Sequence, residues 1–275
     1  MNTWRIGGLA ETVFWPANEE ELREVLLKCR NEGIPFRLLG RGSNVLLPDE
    51  GLKGITVIST GLAQRVWDPP KVRVQAGYSL ARLAQEAGDR GLSGLEFARG
   101  IPGTVGGAIV MNAGAHGSSI ESVLEEVKIL TFAGEIKTLR KEEIKFGYRE
   151  CSLRDQALVL EAVFALQEGD QDRIQGMMSE YLAKRKTTQP LELPNAGSVF
   201  RNPPGDSAGR LIEAAGWKGK RLGGAQVSSV HANFIVNLGN ATAQDVLTLI
   251  REIQKDVLRK YGIELQTEVR YISPD

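Results

Sequence analysis

Apolar residues recur at helical spacing in several stretches of the chain. Leu22, Val25, Leu26 and Cys29 follow the i, i+3, i+4, i+7 rule of a helix buried on one face. Asn18-Glu-Glu-Glu21 sets an acceptor at the cap with Glu three residues on, and Gly33 then Pro35 end the run. Leu80, Leu83, Ala84 and Ala87 predict a second helix, capped by Ser79. Ile174, Met177, Met178, Tyr181 and Leu182 form the apolar side of a third, over 170–186. A short helix over 207–215 closes at Gly216. The last carries Val246, Leu249, Ile250, Ile253 and Val257, with Thr242 and Asp245 at its start and Gly262 at its end. Apolar runs predict strands at 36–39, 45–47, 56–59, 72–76, 157–166, 225–227, 234–238 and 265–272. Segments 127–132 and 135–139 flank Ala133-Gly134 as a hairpin. Strands and helices mix without strict alternation, so the class is α+β. Asp68-Pro-Pro70 and the extended Gln189-to-Asn195 segment break the chain, which divides it into 1–67, 68–188 and 189–263. The final strand, in 264–275, is expected to return to the second of these.

The glycines change the picture. Gly100, Gly103, Gly106, Gly107, Gly114 and Gly117 fall within eighteen residues, with Pro102 stiffening the first turn. Successive backbone N–H groups freed by such turns form concave nests that suit a diphosphate. Ile109-Val-Met111 reads as buried, strand-like backbone beneath this loop. Gly40-Arg-Gly-Ser-Asn44 is a second glycine-rich turn, where Ser43 and Asn44 add side-chain donors. Taken alone, it is as readily a plain turn. Neither segment is a GxGxxG fingerprint or a GxxxxGK[ST] loop. Two cradles far apart in sequence suit one long dinucleotide.

Composition narrows the partners. The chain has 275 residues, 42% hydrophobic and 25% charged, with a net charge of zero. Nothing in that balance favours nucleic acid or an anionic membrane. Its two cysteines, Cys29 and Cys151, form no CxxC pair, and no cluster suggests a metal. There is no signal peptide and no membrane-length apolar run, so a reducing cytoplasm is expected.

The motifs together resemble the UDP-N-acetylenolpyruvoylglucosamine reductase family. The matching segments are Asn2-Thr3 with Gly7-Gly8, Gly40-Arg-Gly-Ser-Asn44, Gly100-Ile-Pro-Gly-Thr-Val-Gly-Gly107, Asn112-Ala-Gly114, Tyr148-Arg149, Asn195-Ala-Gly-Ser198, Gly223-Gly-Ala-Gln226 and Glu268-Val-Arg270. They run in family order over nearly the whole chain. The resemblance implies two FAD-binding lobes of the vanillyl-alcohol-oxidase/PCMH type, at 1–67 and 68–188, and a substrate lobe at 189–263. It implies FAD as cofactor and NADPH as hydride-donating co-substrate. The implied reaction reduces the enolpyruvyl ether of a UDP-N-acetylglucosamine to the lactyl ether of UDP-N-acetylmuramate, in bacterial peptidoglycan synthesis. No obligate protein partner is implied.

On this resemblance the flavin is held by Gly40, Arg41, Gly42, Ser43 and Asn44, and by Gly100, Ile101, Pro102, Gly103, Thr104, Gly106, Gly107, Asn112, Ala113 and Gly114. Ser198 takes the proton-donor position. Arg149 takes that of the arginine gripping the substrate carboxylate, and Glu268 the third catalytic position. A carboxyl facing a carboxylate works best protonated, which burial favours. Arg201 and Asn202 match positions near the UDP diphosphate, with Gln226, His231 and Asn233 as further substrate-lobe residues. Arg185 and Gln189 match a motif at the start of the last lobe. Without the family, Ser198 reads as a turn serine, Arg149 as a solvated arginine, Glu268 as a strand-face carboxylate and His231 as a structural histidine. The chain departs from the pattern at His116, where many members carry an aromatic residue, and at Cys151, where Ser is frequent. The span 161–175 is too short for the tyrosine-bearing loop of the longer subclass, so the shorter subclass is expected. A flavoenzyme of the same type with another substrate, and a non-catalytic nucleotide-binding module, are the competing readings.

Overall fold

Strand 157–165 explains the largest core. Its sequence ALVLEAVFA is apolar almost throughout because both faces are covered. Leu158 and Leu160 join Leu22, Leu26, Val57, Leu62 and Leu130 on one side. Ala157, Val159, Ala162 and Phe164 join the larger cluster on the other. A register shift opposite Lys128 and Ile129 lets successive parts of the strand keep these facings. In the computed structural model, which describes residues 2–274, this strand is the middle of a five-stranded sheet. The order is Ile136–Arg140, Leu124–Thr131, Ala157–Ala165, Lys71–Gln75, Arg65–Asp68, antiparallel throughout. Met1 and Asp275 lie outside the described residues.

The chain divides into two compact units. The central unit comprises Thr12–Arg41 and Gly54–Arg185; the terminal unit comprises Met1–Glu11, Gly42–Lys53 and Lys186–Asp275. In the central unit, helix α1 (Glu19–Glu32) covers one sheet face through Leu22 and Leu26, each fully buried leucine contributing about 1.5–3 kcal/mol. Asn18 caps it by accepting from the Glu21 N–H at 2.9 Å, and Gly33 closes it with φ 66°. Strand Phe36–Leu39 follows and runs parallel to Ile55–Ile58 of strand Leu52–Ile58. Helix α2 (Leu80–Gly88) and helix α3 (Val105–Val110) pack into the cluster on the other face. The hairpin about Gly134 forms as expected, with Leu130 opposite Ile136. Helix α4 (Gln171–Thr188) buries only Ile174 and Met178, so its expected apolar side is half-exposed at Met177, Tyr181 and Leu182.

Segment 109–111 is not the strand-like backbone the sequence suggests. It belongs to α3 and its end, because Thr104 caps a helix there by accepting from the Gly107 N–H at 3.3 Å. The first turn is anchored by Gly106 N–H to the Ala76 carbonyl at 2.8 Å and Val105 N–H to the Tyr78 carbonyl at 2.9 Å. A short apolar run does not separate strand from buried helix by period. Asp68-Pro-Pro70 also turns out to be a tight turn rather than a lobe boundary. Asp68 pairs with Lys71 across it, and the two strands continue in one sheet.

The terminal unit gathers Trp4, Ile6 and Leu46 with residues of 196–269 into its own core. A small antiparallel sheet, Arg221–Leu222, Ala225–Val227 and Ile235–Asn237, packs with α5 (Ala208–Ala214) and α6 (Ala243–Tyr261). Thr242 and Asp245 form a reciprocal capping box on α6. The Trp4 indole donates to the Ile235 carbonyl at 2.7 Å, and the Asn237 amide donates to the Trp4 carbonyl at 2.9 Å. The last strand is interrupted. Phe200 bridges Thr267, and Arg270–Tyr271 runs parallel to Val45–Leu46. The described part of 264–275, up to Pro274, therefore pairs inside the terminal unit, whereas the expected return to the second lobe requires pairing with 68–188. Among the described residues no helix is long and apolar enough to cross a membrane.

Candidate functional site

In the central unit the two glycine segments touch. A Cβ on Gly40 would overlap the Thr104 hydroxyl, so glycine is what lets this turn close against the cap of α3. Gly106 is equally constrained, since a Cβ there would stand 2.8 Å from the Ala76 Cβ. Gly103 has φ 124°, and its carbonyl accepts from the Leu80 N–H at 3.3 Å. Ile101 N–H donates to the Ala98 carbonyl at 3.0 Å, while Pro102 stands exposed beside it. The Gly100 carbonyl accepts from Arg185 Nη1, and α4 lies close enough that a Gly100 Cβ would meet Arg185 Cδ at 3.0 Å. Burial pulls the Arg185 guanidinium below its ordinary pKa. Gly107 is exposed on the outer side of α3.

Beyond α3 the chain turns through Asn112, at φ 38°. Its buried amide accepts from Glu121 N–H at 3.1 Å and donates to the Gly147 carbonyl at 3.0 Å. Ala113 N–H returns to the Ala108 carbonyl at 2.8 Å. Gly114 pairs with Ser119, and its carbonyl accepts from Arg149 Nη2 at 2.9 Å. Arg149 sits with Tyr148 in the two-residue turn between Phe146–Gly147 and Glu150–Cys151, its guanidinium 5.2 Å from the Tyr148 ring centre. The structure thus brings Gly40, 100–114 and Arg149 together within one unit. Arg41 is exposed and ends the first central-unit segment.

Two residues of this cluster were not singled out by the sequence. Arg154 Nη2 donates to the Arg149 carbonyl at 2.6 Å. Tyr181, read as a core-facing residue of its helix, stacks on His116 with ring centres 3.8 Å apart and planes within 4°. His116 has φ 54°, and its pKa lies below the ordinary value through desolvation and the nearby Lys184 and Arg185, opposed by Glu180. Neither contact has a local signal, since each joins elements distant in the chain or a turn's far side. Cys151 is buried, which pushes its thiol pKa up.

The terminal unit holds the other group. Gly42, with φ 64°, accepts from Thr3 N–H at 3.1 Å. Asn44 donates to the Glu268 carbonyl at 3.1 Å and accepts at its own carbonyl from Arg270 N–H at 3.1 Å. Ser43, beside it, is half-buried. Glu268 N–H donates to the Val199 carbonyl at 2.8 Å, and Arg201 N–H to the Gln266 carbonyl at 2.9 Å. Ser43, Asn44, Ser198, Arg201 and Glu268 therefore lie on adjoining, paired backbone. Ser198 and Glu268 are half-buried, and Gly197 ahead of them turns with φ 78°.

The remaining substrate-lobe residues make fold contacts. Asn233 is buried and satisfies Phe200 at both ends: its carbonyl accepts from Phe200 N–H at 2.9 Å and its amide donates to the Phe200 carbonyl at 2.8 Å. His231 Nδ1 accepts from Asn233 N–H at 3.1 Å, and the ring packs edge-on against Phe234. Burial is the main reason its pKa is lowered. Asn202 caps the approach to α5 by accepting from Ala208 N–H at 3.0 Å, and Gln226 donates to the Gly219 carbonyl at 2.9 Å. Gln189 is half-buried, just past the end of α4.

Known proteins match this arrangement along the chain. A family model described as an FAD binding domain matches residues 10–140. A second, described as the C-terminal domain of UDP-N-acetylenolpyruvoylglucosamine reductase, matches residues 189–272. UDP-N-acetylenolpyruvoylglucosamine reductase 2 of Symbiobacterium thermophilum is 49% identical, over 97% of this chain and 87% of that protein. The reductase of Heliobacterium modesticaldum is 48% identical, over 98% of this chain and 87% of its own length. The crystal structure of the reductase (MurB) from Thermus caldophilus superposes with a TM-score of 0.85 at 39% identity, covering 99% of this chain and 96% of that one.

Proposed function

Because the chain belongs to the UDP-N-acetylenolpyruvoylglucosamine reductase family of FAD-dependent oxidoreductases, we propose that it uses NADPH to reduce the enolpyruvyl double bond of UDP-N-acetylglucosamine enolpyruvate, forming UDP-N-acetylmuramate for peptidoglycan synthesis in the cytoplasm. The observation that carries this reading is the Arg149 guanidinium held 2.9 Å from the Gly114 carbonyl, at the end of the glycine loop of an FAD binding domain.

The residues fit the cofactor. Gly40 against Thr104 and Gly106 against Ala76 are close approaches that a side chain would destroy, as a dinucleotide cradle requires. Gly40–Asn44, Gly100–Gly107 and Asn112–Gly114 are the residues that would hold FAD. Bound there and reduced by NADPH, FAD would supply hydride-transfer chemistry to the terminal carbon of the alkene. Arg149 then grips the substrate carboxylate and stabilises the negative charge that develops toward it; a planar donor fork suits that task. Ser198 gives the proton to the other alkene carbon. Glu268 orients the carboxylate from its second side, and Arg201 and Asn202 serve the diphosphate.

The test is spectroscopic. The purified protein is expected to be yellow, to bleach with NADPH and to recover its colour with the enolpyruvyl sugar nucleotide. Ser198→Ala is expected to keep its flavin and its bleaching while reoxidation slows by about 10²–10⁴-fold. Unchanged reoxidation in that variant would instead favour a flavoenzyme acting on another substrate.

A further inference from the structure

The turn that carries Arg149 is held from behind. Arg149 has φ 59°, a region that residues with side chains seldom enter. Such a conformation persists when its surroundings over-determine it. Arg154 adds to the constraint that the flanking hairpin supplies. Its Nη2 donates to the Arg149 carbonyl at 2.6 Å. The same guanidinium reaches the Val110 carbonyl, through Nε at 3.4 Å and Nη2 at 3.3 Å, and the Met111 sulfur at 3.3 Å. Val110 is the last residue of α3, where a carbonyl lacks an in-helix donor and a cation is favourable. On the near side of the turn, Asn112 holds the Gly147 carbonyl at 3.0 Å.

We propose that Arg154 is the positioning residue for Arg149. Its fork ties the end of α3, and so the glycine loop, to the Arg149 carbonyl. That fixes the left-handed backbone of Arg149 and aims its guanidinium along the line that meets Gly114. An ammonium has no rigid fork to span two carbonyls in this way, so lysine is a poor substitute. The inference deepens the function proposed above and rests on the role given there to Arg149.

The experiment compares the FAD-loaded wild type with Arg149→Met, Arg154→Met, the double variant and Arg154→Lys. Three quantities are read: the dissociation constant of UDP-N-acetylglucosamine enolpyruvate for the oxidised protein by calorimetry, the reoxidation rate, and the Arg149 Nε–H resonance in ¹H–¹⁵N spectra. Arg154→Met is expected to shift or broaden that resonance and to weaken binding and slow reoxidation by about tenfold, the scale of a lost charge-assisted contact. Bleaching by NADPH stays within about twofold. Added to Arg149→Met, the second substitution costs less than about twofold, because it acts through the residue already removed. Arg154→Lys falls between wild type and Arg154→Met. An unmoved Arg149 resonance, or losses that multiply in the double variant, would overturn the inference. A purely structural role would show as flavin loss and equal slowing of both half-reactions, and would overturn it too. If Arg149→Met alone leaves binding and reoxidation intact while Arg154→Met still moves the resonance, the positioning stands and the functional reading falls.

Discussion

The group around Arg149 and the group around Ser198 are built by opposite means. In the central unit the backbone is bent into uncommon conformations: Arg149, Asn112 and His116 all have positive φ without being glycine. Side chains hold it there, through Arg154, the Asn112 amide and the Tyr181 ring. In the terminal unit Ser198 and Glu268 have no positive φ, and they lie in or beside a short paired segment fixed by backbone bonds between 199–201 and 266–268. One group is aimed by strain relieved through specific side chains. The other is aimed by pairing, with a single buried amide standing in for a missing strand. The first therefore concentrates its vulnerability in contacts to a few side chains, the second in the integrity of one backbone segment.

The sharpest way to break the second arrangement is Asn233→Ala. It strands the N–H and the carbonyl of buried Phe200. Each buried orphan costs about 1–3 kcal/mol, so a loss of roughly 2–6 kcal/mol is expected in denaturant unfolding. Reoxidation by the enolpyruvyl substrate should fall with it, because Ser198 lies two residues away. Full stability in this variant would mean that the Ser198 segment is held by its ladder bonds alone.

Breaking the first arrangement calls for Gly40→Ala. The new Cβ meets Thr104 Oγ1 and, at 3.1 Å, Thr104 Cγ2. Overpacking of this kind costs about 1–3 kcal/mol, which is expected to appear as lost flavin per chain in the absorbance ratio. Thr104→Ala in the same chain should restore part of the flavin, less about 1 kcal/mol for the lost cap on Gly107. A Gly40→Ala protein as yellow as wild type would show that this approach does not shape the cradle.

What could be read from the sequence follows the same divide. Helix α6 was legible to the residue: its stripe, cap and closing glycine all appear, because period and capping are local. The hairpin about Gly134 was legible for the same reason. Helix α3 was not, since six residues rich in glycine carry no period and the contacts that make it helical come from Ala76 and Tyr78. The proline pair at 69–70 signalled a break correctly, but whether a break is a turn or a boundary depends on what pairs across it. The Tyr148-Arg149 dipeptide was visible; Arg154 was not, because nothing local marks an arginine that folds back onto a carbonyl five residues earlier. The pairing of 199–201 with 266–268 joins segments more than sixty residues apart, beyond any local pattern.

The chain's two histidines fall one in each group, which gives the comparison a pH axis. Both have pKa values below the ordinary 6.5 in the fold. For such a base the unfolded chain binds the proton first as pH falls. The stabilisation is therefore complete above about 6.5 and is lost as pH drops through the lower folded value. The two losses should differ. His231 is the more buried, and its Nδ1 must keep a lone pair to accept from Asn233 N–H, so protonation there breaks a hydrogen bond. His116 is exposed, faces Lys184 and Arg185 with Glu180 opposing them, and risks only its stack on Tyr181. Unfolding midpoints taken between pH 7.5 and 5, in steps of about half a unit, should therefore decline in wild type and decline almost as much in His116→Phe. In His231→Gln the slope should flatten, because the glutamine carbonyl accepts a hydrogen bond without titrating. A slope that vanishes in His116→Phe instead would place the acid sensitivity in the strained group and reverse the ranking of the two.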